Sequence, residues 1–416
     1  MGWITETILR RYGIAGSIIA ERELDGGNVN RTYCVSVRDG ARLTRYLVQK
    51  LNPEAVRQPR LMLRNMVVVT DHLLRKGIRT AKLYPVGVSG ERFLELRRHS
   101  AVGRMTAYAA AASDRSTGNV SAYAAAAGRT SFGAESGSAQ ERAVGQHPQY
   151  HAEYWRVEEY LESAEVSQSD SDVLYRMARA FGQFDAALSD LPPKRLRGAE
   201  RGFHDTYTWF RQLWKAADED VCGRTAEVRG ELVRLKELEE EACEISLRYA
   251  AGDFPIRVVH NDTKFNNVLF TSAKPPYDAV VIDFDTVMEG MIAYDFADSV
   301  RSTAKIIGGT ADEPAVRLDT DRFRIIAKGY LDETRSILTD GEIAAMAPCT
   351  LAITAELSAR YLTDYLNGDV YFKIEEPLQN LRKAKLNLAF AQDIKNRMDE
   401  LRTVVDEVAG FNPGHR

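Results

Sequence analysis

The sequence predicts an α+β protein, with a sheet in its N-terminal part and a larger, mainly helical C-terminal part. Three observations carry this. Short runs of strand character fall within residues 1–160, segments of helical period dominate 161–416, and a compact strand-rich stretch at 257–285 places polar residues at its strand ends. The two parts, 1–160 and 161–416, are taken as two domains.

Ile4, Ile8, Leu9 and Tyr12 share one helical face near the start. Asp25-Gly26-Gly27-Asn28-Val29-Asn30 follows, then two strand-like runs, Thr32-Tyr33-Cys34-Val35-Ser36-Val37 and Tyr46-Leu47-Val48-Gln49-Lys50, joined by a turn at Arg38-Asp39-Gly40. Over residues 59–76, Leu61, Met62, Met66, Val69, Leu73 and Leu74 form an apolar stripe, and Gly77 stands where a helix C-terminus prefers glycine. Residues 101–147 are loaded with Ala, Ser and Gly and nearly lack large aliphatic side chains. Such a stretch buries too little to offset its ordering entropy, so it is expected to be a flexible insertion without a catalytic role. Arg92-Phe93-Leu94-Glu95-Leu96 before it and Tyr154-Trp155-Arg156-Val157 after it read as strands, so the insertion enlarges a hairpin loop.

Helical period returns at 172–188 and 227–249, where Leu232, Leu235, Leu238, Ala242 and Ile245 line one face. Glu237, Glu239, Glu240 and Glu241 are read as the solvated face of that helix. Beyond residue 285 the pattern is mainly helical.

Composition excludes several classes of function. Lys and Arg number 55 against 59 Asp and Glu, a net charge of −4, which is no footprint for nucleic acid or an anionic membrane. Cys34, Cys222, Cys243 and Cys349 are scattered without C-x-x-C spacing, which argues against a metal site or a disulfide framework. No apolar stretch has the length of a membrane span, and Glu6, Arg10 and Arg11 interrupt any signal-like run. A soluble, cytoplasmic protein is expected, without a nucleic-acid or membrane partner.

The chemistry concentrates in Val258-Val259-His260-Asn261-Asp262-Thr263-Lys264-Phe265-Asn266-Asn267-Val268-Leu269-Phe270, followed by Ala279-Val280-Val281-Ile282-Asp283-Phe284-Asp285. One β run delivers His260 and Asp262 into a polar loop, a second leaves after Asn267, and a third ends on Asp283. Two carboxylates and an amide thus surround one loop. Phosphoryl transfer needs this set: a carboxylate to orient a hydroxyl and take its proton, and oxygen ligands to hold Mg²⁺ against phosphates.

These residues resemble the aminoglycoside phosphotransferase and choline kinase superfamily, and more closely bacterial N-acetylhexosamine 1-kinases. The closer likeness rests on His260-Asn261-Asp262-Thr263-Lys264, Ile282-Asp283-Phe284-Asp285-Thr286-Val287-Met288 and Tyr294-Asp295-Phe296-Ala297-Asp298-Ser299-Val300-Arg301. It extends to Arg360-Tyr361-Leu362-Thr363-Asp364-Tyr365-Leu366-Asn367-Gly368-Asp369 and Tyr371-Phe372. The resemblance implies a protein-kinase-like two-lobed fold: an N-terminal nucleotide-binding lobe over 1–160 and a C-terminal catalytic and substrate-binding lobe over 161–416. It implies a reaction too, in which Mg·ATP phosphorylates the anomeric hydroxyl of an N-acetylhexosamine or related hexose. Choline, homoserine or an aminoglycoside are the alternative acceptors, and a catalytically silent nucleotide-binding regulator is the alternative from another class.

By motif, Asp262 matches the catalytic base, and Asn267 and Asp283 match the Mg²⁺ ligands. Asp285, two residues on, would share a strand face with Asp283 and serve metal, substrate or structure. His260 is expected to brace the loop. Gly27 and Asn28 occupy the place of the phosphate-covering loop. Lys50 matches the lysine on the α- and β-phosphates, or is an exposed strand lysine. Glu159 and Leu161 lie in the segment that resembles the hinge holding adenine.

The family's helix Glu partner for that lysine is absent from 59–76, where Asn65 is the nearest polar substitute. Close relatives also carry His at Asn28 and Pro at Glu289. Asp295 and Asp298 suggest a helix N-terminus, with Asp298 placed to pair with Arg301. Arg360, Asp364 and Tyr371 are candidates for sugar contacts, although a helical Arg360–Asp364 pair explains the first two equally well. His204 walls the acceptor site or belongs to an aromatic core stripe with Tyr207, Trp209 and Phe210.

Overall fold

A computed structural model describes residues 3–24, 30–52, 58–87, 89–98, 105–107, 151–196 and 203–411. The chain forms two compact units.

The smaller unit holds helix α1 (Trp3–Arg11) and six strands: β1 (Ser17–Glu23), β2 (Arg31–Asp39), β3 (Arg42–Lys50), β4 (Leu94–Arg98), β5 (Met105–Ala107) and β6 (His151–Glu159), of which Glu158 and Glu159 belong to the larger unit. They lie in the order β1-β2-β3-β6-β4-β5. The β2–β3 hairpin closes so tightly that Asp39 pairs with Arg42, and Gly40 takes the positive φ of 56° that the turn requires. Alternation along β2 buries Val35 and Val37, which pack with Val48, Leu94, Leu96, Trp155 and Val157 beneath Ile8 and Leu9 of α1. β4 and β6 pair antiparallel, Leu94 opposite Trp155, so the strands expected on either side of the insertion do form a hairpin. Within the stretch expected to be flexible, Met105–Ala107 instead extends the sheet by pairing with β4. Backbone ladder bonds suffice for a short strand where side-chain burial gives no signal. Most of the remaining insertion lies outside the described residues.

The larger unit contains α2 (Pro59–Arg75) and the chain from α3 onward. α2 ends as expected, with Gly77 at φ 75° just beyond it. Then come α3 (Ser171–Leu188), α4 (Thr206–Glu219), α5 (Arg229–Ala251), β7 (Arg257–Val259), β8 (Val268–Phe270), β9 (Ala279–Val281), β10 (Met288–Gly290) and α6 (Ile292–Thr303). A hairpin that helical periodicity did not foreshadow, β11 (Lys305–Gly309) and β12 (Pro314–Leu318), precedes α7 (Thr320–Thr334), α8 (Asp340–Leu366), α9 (Gln379–Asn396) and α10 (Met398–Ala409).

α8 is apolar around most of its circumference and is accordingly buried, with α4, α5, α6, α9 and α10 packed on it. Thr339 and Glu342 close its N-terminus as a capping box. α3 and α7 cross in close contact at glycines. A Cβ on Gly182 would lie 2.8 Å from Tyr330 O, and one on Gly329 would lie 2.5 Å from Tyr175 O.

All four cysteines are free thiols, three buried and Cys222 exposed. No described helix is long and apolar enough to cross a membrane.

Candidate active site

β7 pairs with β10, and β8 pairs with β9. The polar loop of residues 260–267 therefore leaves one two-stranded ladder and enters the other. Its backbone is pinned from α6. Asp295, fully buried in the first turn of that helix, accepts the backbone N–H of His260 at 2.6 Å and of Asn261 at 2.7 Å. Thr263 Oγ1 donates to Asp295 O, Ser299 Oγ donates to Thr263 O at 3.1 Å, and Thr286 Oγ1 donates to His260 O at 2.7 Å. Asn261 holds a positive φ of 65° at the bend, a conformation that Asn tolerates, and its amide donates to Thr286 O. The expected role of Asp295 at a helix N-terminus is thus refined: α6 has no side-chain cap, and the carboxylate serves the loop instead.

Beneath Asp295 lies Asp185 of α3, also fully buried. Burial first, and then the neighbouring Asp295 charge, push the Asp185 carboxyl well above the usual range. Tyr330 OH donates to Asp185 Oδ2. Burial pushes the Asp295 carboxyl up as well, and the His260 charge and the two loop amides pull against it.

Asp262 has a quarter of its side chain exposed. Its Oδ2 accepts from Lys264 Nζ at 2.6 Å and from Asn267 Nδ2 at 2.8 Å. Burial raises its pKa, but the Lys264 charge and hydrogen bond, with His260 and Asn267 behind them, bring the net shift below the ordinary value. Asp262 is therefore an ionised carboxylate with Oδ1 open to a hydroxyl. Lys264, a residue that sequence reasoning passed over although it stands in the quoted string, also senses Asp283 and Asp298.

His260 is buried between Phe181, Phe184 and Phe284, with Nε2 3.0 Å from Ile282 O. That contact ties the loop to the end of β9, the bracing task expected of it.

Asp283 follows β9 with φ 67° and ψ 64°, a left-handed conformation that turns the chain into a short 3₁₀ segment, Phe284–Thr286. Asp285 lies within that turn, so strand alternation does not place it on the same side as Asp283. Asn267 directs both Nδ2 hydrogens at Asp262, one to the backbone O and one to Oδ2, so its Oδ1 is the atom left for a ligand. That oxygen and the Asp283 carboxylate are hard donors suited to Mg²⁺. Among the described residues, no group of three or more His, Cys, Asp or Glu side chains is placed to hold a metal. Such an ion would take most of its ligands from phosphate and water.

Gly27 and Asn28 lie outside the described residues. Lys50, last in β3, has Nζ 2.8 Å from Glu153 Oε1, so its carboxylate partner comes from β6. Glu159 donates its backbone N–H to Lys82 O at 2.9 Å, and Leu161 packs with Ala81 and Val280.

The three expected sugar contacts have different surroundings. Asp364 is buried and accepts the N–H groups of Val370, Tyr371 and Phe372 and the amide of Asn380, all at 2.8–2.9 Å. Its oxygens are thereby committed to a loop. Arg360 pairs not with Asp364 but with Glu356 at 3.6 Å, and its guanidinium lies 4.5 Å over Trp209 and 5.7 Å over Phe203. Tyr371 is 69% exposed and meets Phe372 edge-on, and Phe372 packs on Tyr361 at 4.5 Å.

His204 meets other rings than the expected Tyr207, Trp209 and Phe210. It packs on Phe203 and Tyr294, and it bridges Asn261 O at 3.2 Å and Glu356 at 3.4 Å. The expected Asp298–Arg301 pair forms at 2.6 Å. Beside it, the Lys305 ammonium is pushed down to about 8, chiefly by burial and also by the Arg301 charge.

Residues 134–325 match the phosphotransferase enzyme family. The match contains Asp262, Asn267, Asp283 and Asp295 and stops before Arg360. Among solved structures, a microcompartment-associated aminopropanol kinase is similar over 96% of this chain and 98% of its own, at 14% identity and TM-score 0.57. An aminoglycoside phosphotransferase from Alicyclobacillus acidocaldarius is 14% identical over 97% of this chain and 96% of its own, with TM-score 0.55. A spectinomycin phosphotransferase, solved with ADP and spectinomycin, is 11% identical over 95% and 98%, with TM-score 0.52. At these identities the likeness is one of fold, and it agrees with the α+β kinase-like class expected from sequence.

Proposed function

We propose that this protein transfers the γ-phosphoryl group of ATP to a small alcohol, and that the alcohol is the anomeric hydroxyl of an N-acetylhexosamine or related hexose. The family match and the fold support the phosphotransferase part. The observation that carries the mechanism is Asp262, ionised, anchored through Oδ2 by Lys264 and Asn267, with Oδ1 open. Oδ1 accepts the proton of the acceptor hydroxyl as its oxygen bonds to phosphorus and the bond to the ADP oxygen breaks. A carboxylate of ordinary or lowered basicity suffices, because the hydroxyl becomes acidic only as that bond forms. Lys264 supplies positive charge beside the transferring group. Asn267 and Asp283 would hold Mg²⁺, which when bound neutralises charge on the phosphates.

The charge around Asp262 supports a neutral acceptor. Arg301 senses Asp262 as well as Asp298, and Lys305 lies next to Arg301. A cationic aminoglycoside or choline would find Asp262 already matched by Lys264 and Asp298 by Arg301. The solved relatives that act on amines or aminoglycosides therefore share the fold without dictating the acceptor.

The test incubates protein, ATP and Mg²⁺ with N-acetylglucosamine or N-acetylgalactosamine and follows ADP, reducing ends and acid-labile phosphate together. Loss of reducing ends in step with ADP release, with phosphate lost in mild acid, is the expected result. ADP release with every reducing end preserved would refute the anomeric acceptor and leave the general phosphotransferase.

A further inference from the structure

Helix α2 contains no Glu, yet Lys50 has a carboxylate partner. β3 and β6 are neighbours in the sheet, and Leu51 N–H donates to Tyr154 O at 3.0 Å. That register sets Glu153 beside Lys50, and Glu153 Oε1 lies 2.8 Å from Lys50 Nζ. The other carboxylate oxygen, Oε2, accepts the indole N–H of Trp155 at 3.4 Å. Trp155 is itself buried: it is 2% exposed, and Tyr12 OH donates to its backbone carbonyl at 2.9 Å. Its ring lies 5.6 Å from Lys50 Nζ, so the ammonium is held by a carboxylate and an aromatic face together.

We propose that Glu153 is the positioning residue that orients Lys50 toward the nucleotide phosphates, a strand-borne carboxylate doing what a helix-borne one would otherwise do. This rests on the nucleotide-dependent reading above. The physical reason is the lysine's flexible stem: without a fixed partner it loses rotamer freedom each time it binds phosphate, and with Glu153 that ordering is already made. Stability is not the purpose of the pair. Lys50 and Glu153 are 30% and 16% exposed, and partly exposed pairs contribute little to folding.

The experiment compares wild type, Glu153→Gln, Glu153→Asp, Lys50→Met and the Lys50→Met/Glu153→Gln double variant. Mg·ADP affinity is read by calorimetry, with steady-state kinetics in ATP and unfolding curves alongside. Glu153→Gln should raise Kd for Mg·ADP and KM for ATP about tenfold, with kcat within about threefold and the acceptor KM unmoved. Glu153→Asp should recover part of the loss. In the Lys50→Met background, Glu153→Gln should add nothing, because the two residues act as one unit. Unchanged nucleotide affinity in Glu153→Gln, or effects that add to those of Lys50→Met, would overturn the assignment while leaving the kinase reading intact. A wild-type protein that binds neither ADP nor ATP would overturn both.

Discussion

Two loops of the larger unit are held by one device and put to different use. In each, a buried aspartate on a helix accepts backbone N–H groups of a loop that would otherwise be unsatisfied. Asp295 takes those of His260 and Asn261; Asp364 takes those of Val370, Tyr371 and Phe372. The first loop then presents a carboxylate with two donors on one oxygen. The second presents Val370 and Tyr371, 79% and 69% exposed. Anchoring makes a loop rigid; it does not make it reactive. Chemistry enters with Lys264 and Asn267, which fix which oxygen of Asp262 is open.

The comparison breaks most sharply at Asp262. Asp262→Asn should keep nucleotide binding and lower turnover by at least about a hundredfold, the lower end for a general base. Turnover near that of wild type would leave the first loop as inert as the second.

Asp295→Ala comes next. Two charge-assisted bonds to buried amides are lost together, so the unfolding free energy in urea should fall by about 3 kcal/mol, with turnover falling too. Asp185→Asn is its companion, because an uncharged amide of the same shape removes the burial and repulsion costs that push the Asp185 carboxyl up. It should change stability by less than about 1 kcal/mol; a loss as large as that of Asp295→Ala would mean that Asp185 is charged.

Asp364→Ala should cost about 2 kcal/mol although four bonds are lost, because Val370 and Tyr371 lie in an exposed stretch where water can replace the carboxylate, and should leave turnover at saturating acceptor within about threefold. A hundredfold loss there would give the second loop a catalytic part.

The smallest effect is pH dependence at His204. Burial alone would lower its pKa, but the Glu356 hydrogen bond and charge override it, and the net direction is up from the ordinary 6.5. A raised folded-state pKa means stability fully present below the unfolded value and lost as pH rises through the folded one. Wild type should therefore lose about 1 kcal/mol or less between pH ~6 and ~9 relative to His204→Gln, measured by urea unfolding. Parallel curves for the two proteins would remove His204 from that slope.

Local patterns made much of this legible. The C-terminal glycine of α2, the strand character of β2 and β3 and the polar residues at the ends of β7 and β9 are short-range signals, and the structure realises them. The partner of Lys50 was beyond reach, because Glu153 stands 103 residues away, across the insertion. Arg360 shows a subtler limit. Glu356 and Asp364 are both one turn from it, and spacing cannot choose between them. The choice is made by the residue 364 carboxylate, which backbone amides of the following loop already occupy, while Glu356 remains for Arg360, His204 and Thr206. Which acceptor is already committed is a tertiary fact. The same holds for Asp185, whose carboxyl is pushed up by burial and by a neighbour that only folding supplies.

The crossing of α3 and α7 at Gly182 has a reach that its position does not suggest. Tyr330, whose carbonyl leaves no room for a methyl on Gly182, also sends its hydroxyl to Asp185 and to Ile292 O. A methyl there would act as a shim between two beams. Tyr330 would shift, Asp185 with it, and then Asp295 and the two amides it carries. The alignment of the Asp262 oxygen is in this sense gauged from behind, by how closely two helices touch, and a change that meets no substrate would be read out as misalignment at the reacting atom.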